Sequence, residues 1–132
     1  KLMNSIICIG KKNERRSLVC KIDDSAGDIY FGAWVDRVGN VGSGLELILV
    51  PIGSDKLWIK YIERPNFMHG WGVPEAAILA VARHYSKKII STQTRSSCGN
   101  YWRTEEATKM WERLRAKGMA EFDKNKDIYT TI

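Results

Sequence analysis

Short apolar runs fill the first half of the chain, and helical spacing takes over in the second. Ile6-Ile7-Cys8-Ile9, Leu18-Val19-Cys20-Lys21-Ile22 and the β-branched and aromatic stretch Ile29 to Val35 read as strands. Asp23 to Asp28, with Gly27, supplies turn chemistry, and the glycine-rich stretch Asp36 to Gly44 predicts a longer loop. Leu45 to Ile52 is apolar except at Glu46, which predicts a buried strand that pairs incompletely near Pro51. Gly53-Ser54-Asp55 then turns the chain into Leu57 to Ile62, so the first half predicts an antiparallel meander.

Glu75 to Tyr85 is apolar nearly all round and predicts a largely buried helix, with Lys87 and Lys88 suited to its negative end. Ile89 to Thr94 reads as a strand and Arg95 to Arg103 as a loop. Thr104 is a good N-cap, followed by Glu105 and Glu106 and by Ala107, Met110, Trp111 and Leu114 on one helical face, with Gly118 to end the helix. Met119 to Phe122 and Ile128 to Ile132 close the chain as two strands. The fold class is α+β: a mostly antiparallel central sheet with two main helices.

Length and composition narrow this picture. A chain of 132 residues, 44% hydrophobic, predicts a single domain over 1–132. Lys1-Leu2 precede Met3 and read as a cloning remnant. Lys and Arg number 21 against 15 Asp and Glu, and the net charge of +6 favours anionic partners. The bland alternative is a well-solvated basic surface. Five tryptophans are expected in the core or in pocket walls. Cys8, Cys20 and Cys98 are odd in number and without paired spacing, which fits a reduced compartment and a cytoplasmic protein. No apolar run is long enough to span a membrane, and no secretory signal is visible.

The chemistry concentrates at His69-Gly70-Trp71-Gly72-Val73, a tight turn between the strand ending at Ile62 and the helix opened by Pro74-Glu75. A turn of this kind leaves backbone N–H groups free at the positive end of a helix, which suits a phosphate or pyrophosphate. His69 is a further candidate phosphate contact, and His84 is expected to cap the helix end. Two histidines and three scattered cysteines give no metal-ligand spacing.

From Leu45 to Ile132 the order of elements resembles the GNAT-type N-acetyltransferase superfamily, in a short, bacteriophage-like form. Phe67-Met68-His69-Gly70-Trp71-Gly72 is similar to that family's Q/R-x-x-G-x-G/A turn, with Phe67 in place of Gln or Arg. Ala107 to Gly118 resembles the family's late helix, with Trp111 where a general-acid Tyr often stands. An indole N–H cannot supply a proton near neutral pH. The resemblance implies acetyl-coenzyme A, or another acyl-coenzyme A, as cofactor. Its pyrophosphate would lie on the N–H groups of Gly70, Trp71, Gly72 and Val73, in a splayed gap beside the central strand. It implies a small-molecule or peptide amine as acceptor. Glu63, at the end of the central strand, and Glu46 are the candidate bases, and Tyr101 is the candidate acid.

Arg103, Lys109, Arg113, Arg115 and Lys117 could hold the cofactor's 3′-phosphate or a nucleic-acid backbone, or form a solvated face with Glu105, Glu106 and Glu112. Two other readings stay open. One is a nucleic-acid-binding or regulatory module, with Thr104 to Ile132 as a helix and β-wing. The other is a catalytically inactive GNAT-like binding protein.

Overall fold

The computed structural model describes residues 5–36, 43–94 and 102–132. Eight strands form one sheet: β1 (Ser5–Ile9), β2 (Arg15–Ala26), β3 (Asp28–Trp34), β4 (Gly44–Ile52), β5 (Lys56–Glu63), β6 (Lys88–Ile90), β7 (Ala120–Asp123) and β8 (Ile128–Thr131). Helix α1 (Val73–Tyr85) joins β5 to β6, and α2 (Glu105–Ala116) joins β6 to β7. The spatial order is β1-β2-β3-β4-β5-β6-β8-β7, and every neighbouring pair is antiparallel except β5–β6. The α+β class and the antiparallel meander of β1 to β5 follow the apolar pattern.

Period-two alternation builds the core. Ile29, Phe31 and Ala33 of β3, Leu45, Leu47 and Leu49 of β4, and Leu57 and Ile59 of β5 all point to one buried face. Each large side chain among them contributes roughly 1.5–3 kcal/mol by leaving water. Buried Val73, Ala77, Ile78 and Val81 of α1 belong to the same cluster. Thus α1 is as deeply seated as its composition predicts. β4 is not buried on both sides as its continuous apolar run suggests. Glu46 is exposed and Ile48 and Val50 are half-buried, all on the outer face. Pairing also continues past the proline, with Pro51 opposite Leu57. β2 runs further than its apolar segment because β3 pairs with it as far as Ala26.

The register carries the inner face onward through Leu57 and Ile89 to Tyr129. There α2 docks on the same side as α1, with Trp111 stacked on Tyr129 at 5.7 Å between ring centres. The Thr104 hydroxyl accepts from the Ala107 N–H at 3.1 Å, and Gly118 follows the helix at φ +75°. Of the tryptophans, Trp111 is buried; Trp34, Trp58 and Trp71 are half-buried, and Trp102 is exposed. The helix-and-wing reading of Thr104 to Ile132 does not describe this fold, since β7 and β8 complete the large sheet. Among the described residues no helix is long and apolar enough to cross a membrane.

Candidate functional site

β5 and β6 are parallel neighbours only from Lys56–Lys88 to Trp58–Ile90. Beyond that, β5 carries an extra residue, Lys60, between the pairs Leu49–Ile59 and Ile48–Tyr61, and such a bulge bends its strand. β6 ends, and the Ser91 N–H turns to the Tyr129 carbonyl of β8 at 2.9 Å. Parallel pairing thus stops at Ile90 while β5 runs on to Glu63, and the carboxyl ends of parallel neighbours are where a crevice forms in such sheets.

The chain leaving β5 forms a 3-10 turn (Asn66–Met68), then the glycine turn, then α1. Gly70 and Gly72 adopt φ +77° and +76°, a left-handed backbone that glycine enters without strain. The tip of the β1–β2 hairpin docks on this turn. Lys11 N–H donates to the Gly70 carbonyl at 3.1 Å, and a Cβ on Gly72 would stand 2.2 Å from the Ile9 carbonyl oxygen. Trp71 is clasped between the Phe67 ring, edge-on at 5.6 Å, and the Arg16 guanidinium at 4.3 Å.

Of the expected backbone donors, Trp71 N–H is already bonded to the Met68 carbonyl at 3.1 Å. Among the described residues no acceptor faces the N–H groups of Gly70, Gly72 and Val73. The last two open α1, which has no side-chain cap.

A cleft of about 1180 Å³ lies between the hairpin tip, the stretch from Arg64 to Glu75, and α2. Its walls carry Lys11, Arg64, His69, Lys109, Arg113 and Lys117 against Glu75, Glu105 and Glu106. Glu75 is buried; its Oε2 accepts from Arg113 Nε at 2.7 Å, while its Oε1 has no partner. Arg64 Nη2 donates to Glu106 at 2.6 Å and meets His69 Nδ1 at 3.0 Å. Lys11 and Arg64 were not singled out by their sequence context, because the hairpin tip and the end of β5 meet only in the fold.

Glu46 and Glu63 stand directly opposite each other on the outer face of β4 and β5. Both are exposed, in the middle of the sheet rather than at an edge. Each has a tyrosine: Tyr30 hydroxyl reaches Glu46 at 3.5 Å, and Tyr61 hydroxyl donates to Glu63. The Glu63 hydrogen bond, with lesser help from desolvation, pushes the Tyr61 phenol up to about 12. Burial, then the Glu46 charge, raises that of Tyr30. Two carboxylates side by side repel, and a cation between them relieves that repulsion. Glu63 immediately precedes Arg64, so the end of β5 touches both the outer pair and the cleft. Tyr101 lies outside the described residues.

The late-helix cations divide by role. Lys109, Arg113 and Lys117 line the cleft, and Arg115 pairs with Glu112. Arg103 is a buried structural hub and cannot serve a ligand. Its guanidinium donates to Asp127 Oδ1 at 2.6 Å, Thr92 carbonyl at 2.9 Å and Thr108 hydroxyl at 2.8 Å, and lies over the Tyr129 ring. Partial burial works against the Asp127 charge, but hydrogen bonds from Thr94 and Arg103 outweigh it and hold the carboxyl below its usual range. Trp111 is sealed in the core. His84 does not cap α1; the Ser86 N–H bonds to the Ala82 and Arg83 carbonyls, and the His84 ring packs edge-on against Tyr85. Among the described residues no cluster of His, Cys, Asp or Glu gathers at metal-binding spacing.

No family model, curated protein or solved structure matches the chain.

Proposed function

We propose that the chain is an acyl-coenzyme A-dependent N-acyltransferase that transfers an acetyl group to an amine of a small molecule or peptide. The observation that carries this reading is the uncapped start of α1, with its unengaged N–H groups, opening onto a cleft lined by cations. The donor set fits a pyrophosphate-bearing cofactor: unengaged N–H groups at Gly72 and Val73, with Lys109 and Lys117 across the cleft for further phosphate. Acetyl-coenzyme A would supply the activated acyl thioester. The chain's own residues do the rest. Glu46 and Glu63 attract a protonated amine to the outer face and take up its proton, directly or through water. Tyr61 holds Glu63 by its hydroxyl, which as a phenol stays protonated and a donor at neutral pH. The proton for the departing thiolate is assigned to Tyr101 on its place in the sequence alone.

The test is a thermal melt with and without acetyl-coenzyme A. Saturation at about 100 times Kd adds about 2.7 kcal/mol, a shift of several degrees in a domain of this size. Lys109→Glu with Lys117→Glu should reduce that shift. No shift up to millimolar cofactor discards the reading.

A further inference from the structure

The N-terminal hairpin brings a lysine to an arginine and a histidine that already line the cleft. His69 Nδ1 faces Arg64 Nη2 at 3.0 Å, and its Nε2 faces Lys11 Nζ at 3.5 Å. A neutral imidazole has one acceptor nitrogen and one N–H, and a protonated one has two N–H groups. In every state, at least one ring N–H points at a cationic N–H. No charge state or tautomer of His69 satisfies both neighbours.

The local charge is unbalanced as well. Glu106 answers Arg64, but among the described residues no carboxylate pairs with Lys11. The hairpin's own acid, Glu14, is turned to Arg16 at 2.9 Å and to the Lys12 N–H. The Lys11 backbone is nevertheless held, its N–H bonded to the Gly70 carbonyl at 3.1 Å, and its aliphatic stem runs past Gly70. A lysine held by its backbone beside an imidazole that also faces a guanidinium suits an oxyanion whose several oxygens can accept from all three groups at once.

We propose that Lys11, His69 and Arg64 form a side-chain seat for a diphosphate, built by docking the β1–β2 hairpin onto the glycine turn. The seat takes over the anion-holding that Trp71 N–H cannot perform. Diphosphate chemistry is shared by free pyrophosphate and by a nucleotide-type cofactor. As regards the cofactor, the seat deepens the acyl-coenzyme A reading and rests on it.

The experiment is calorimetric titration of the full chain with inorganic pyrophosphate and, separately, with acetyl-coenzyme A. Wild type is compared with Lys11→Ala, Lys11→Arg and Lys12→Ala. Lys12 is exposed and outside the cleft lining, so Lys12→Ala changes net charge equally and serves as the control. Lys11→Ala is expected to weaken pyrophosphate about tenfold, with Lys11→Arg recovering most of the loss and Lys12→Ala having little effect. Pyrophosphate that does not bind, or that binds Lys11→Ala as tightly as wild type, overturns the seat. Acetyl-coenzyme A bound equally by wild type and Lys11→Ala overturns the seat and leaves the cofactor reading standing. Lys11-dependent pyrophosphate binding without acetyl-coenzyme A binding supports the seat and removes that cofactor.

Discussion

Gly70 and Gly72 offer a matched pair for asking what a glycine does in this turn. Their backbone angles are nearly the same, φ +77° and +76°, but their surroundings differ. A methyl on Gly70 meets the lysine stem at an ordinary 3.5 Å, whereas one on Gly72 stands 2.2 Å from the Ile9 carbonyl oxygen. A left-handed backbone costs an alanine about 1–2 kcal/mol, less about 0.4–1 kcal/mol for the unfolded freedom it removes. Gly70→Ala should therefore cost about 1 kcal/mol. Gly72→Ala carries the same backbone cost plus about 1–3 kcal/mol of overpacking, because the Cβ is fixed by its own backbone and the Ile9 carbonyl is main chain, so neither can rotate away. Urea unfolding at neutral pH measures the difference. The Gly72→Ala midpoint should fall roughly 1 M further than that of Gly70→Ala, with slopes alike. Coincident midpoints would refute the claim that close approach of the hairpin, rather than backbone angle alone, demands the second glycine.

Arg103→Leu should cost about 3–5 kcal/mol in the same assay, since it strands Asp127 and several buried acceptors; a loss below about 1 kcal/mol would show that the hub is redundant. Asp127→Asn should destabilise at neutral pH. Its depressed carboxyl contributes stability above the unfolded value of about 3.9 that is lost as pH falls through the folded value, so wild type and variant should converge in acid. Glu63→Gln should return the Tyr61 phenol from about 12 toward about 10, read by near-ultraviolet titration; an unmoved phenol would mean Glu63 is not its partner.

Most strands, both helices and the glycine turn were legible in the chain because their signals are local: alternation, i, i+3, i+4 spacing and a Thr cap; the strand read over Ile89 to Thr94 is only Lys88–Ile90, because Ser91 leaves β5 and bonds to β8. Inward and outward faces of β4 were not, since a continuous apolar run reads alike whether one face or both are covered. The outer face keeps Ile48 and Val50 half-exposed because both helices dock on the other side. The basic residues of the late helix illustrate the same limit. Arg103 and Arg113 look equivalent in sequence, but the partners of Arg103 include Thr92, after β6, and Asp127, in the β7–β8 turn, while Arg113 reaches Glu75 across the cleft. Only the fold separates the buried strut from the cleft wall. Lys11 carries no signal at all until the hairpin is docked.

The placement of β8 sets a timetable for assembly. β1 to β5 are zipped by successive neighbours and can close as each strand leaves the ribosome. β6 is three residues long, and much of its support comes from β8: Ile89 N–H donates to the Thr131 hydroxyl, and Ser91 N–H to the Tyr129 carbonyl. At about 5–20 residues per second, those partners arrive seconds after β6 itself. Until then α1 has its meander to rest on, but the strand that follows it has a neighbour on one side only. β6 is thus finished only after β8 has been made and has slipped in beside it, so the two ends of the sheet are joined later than the meander is.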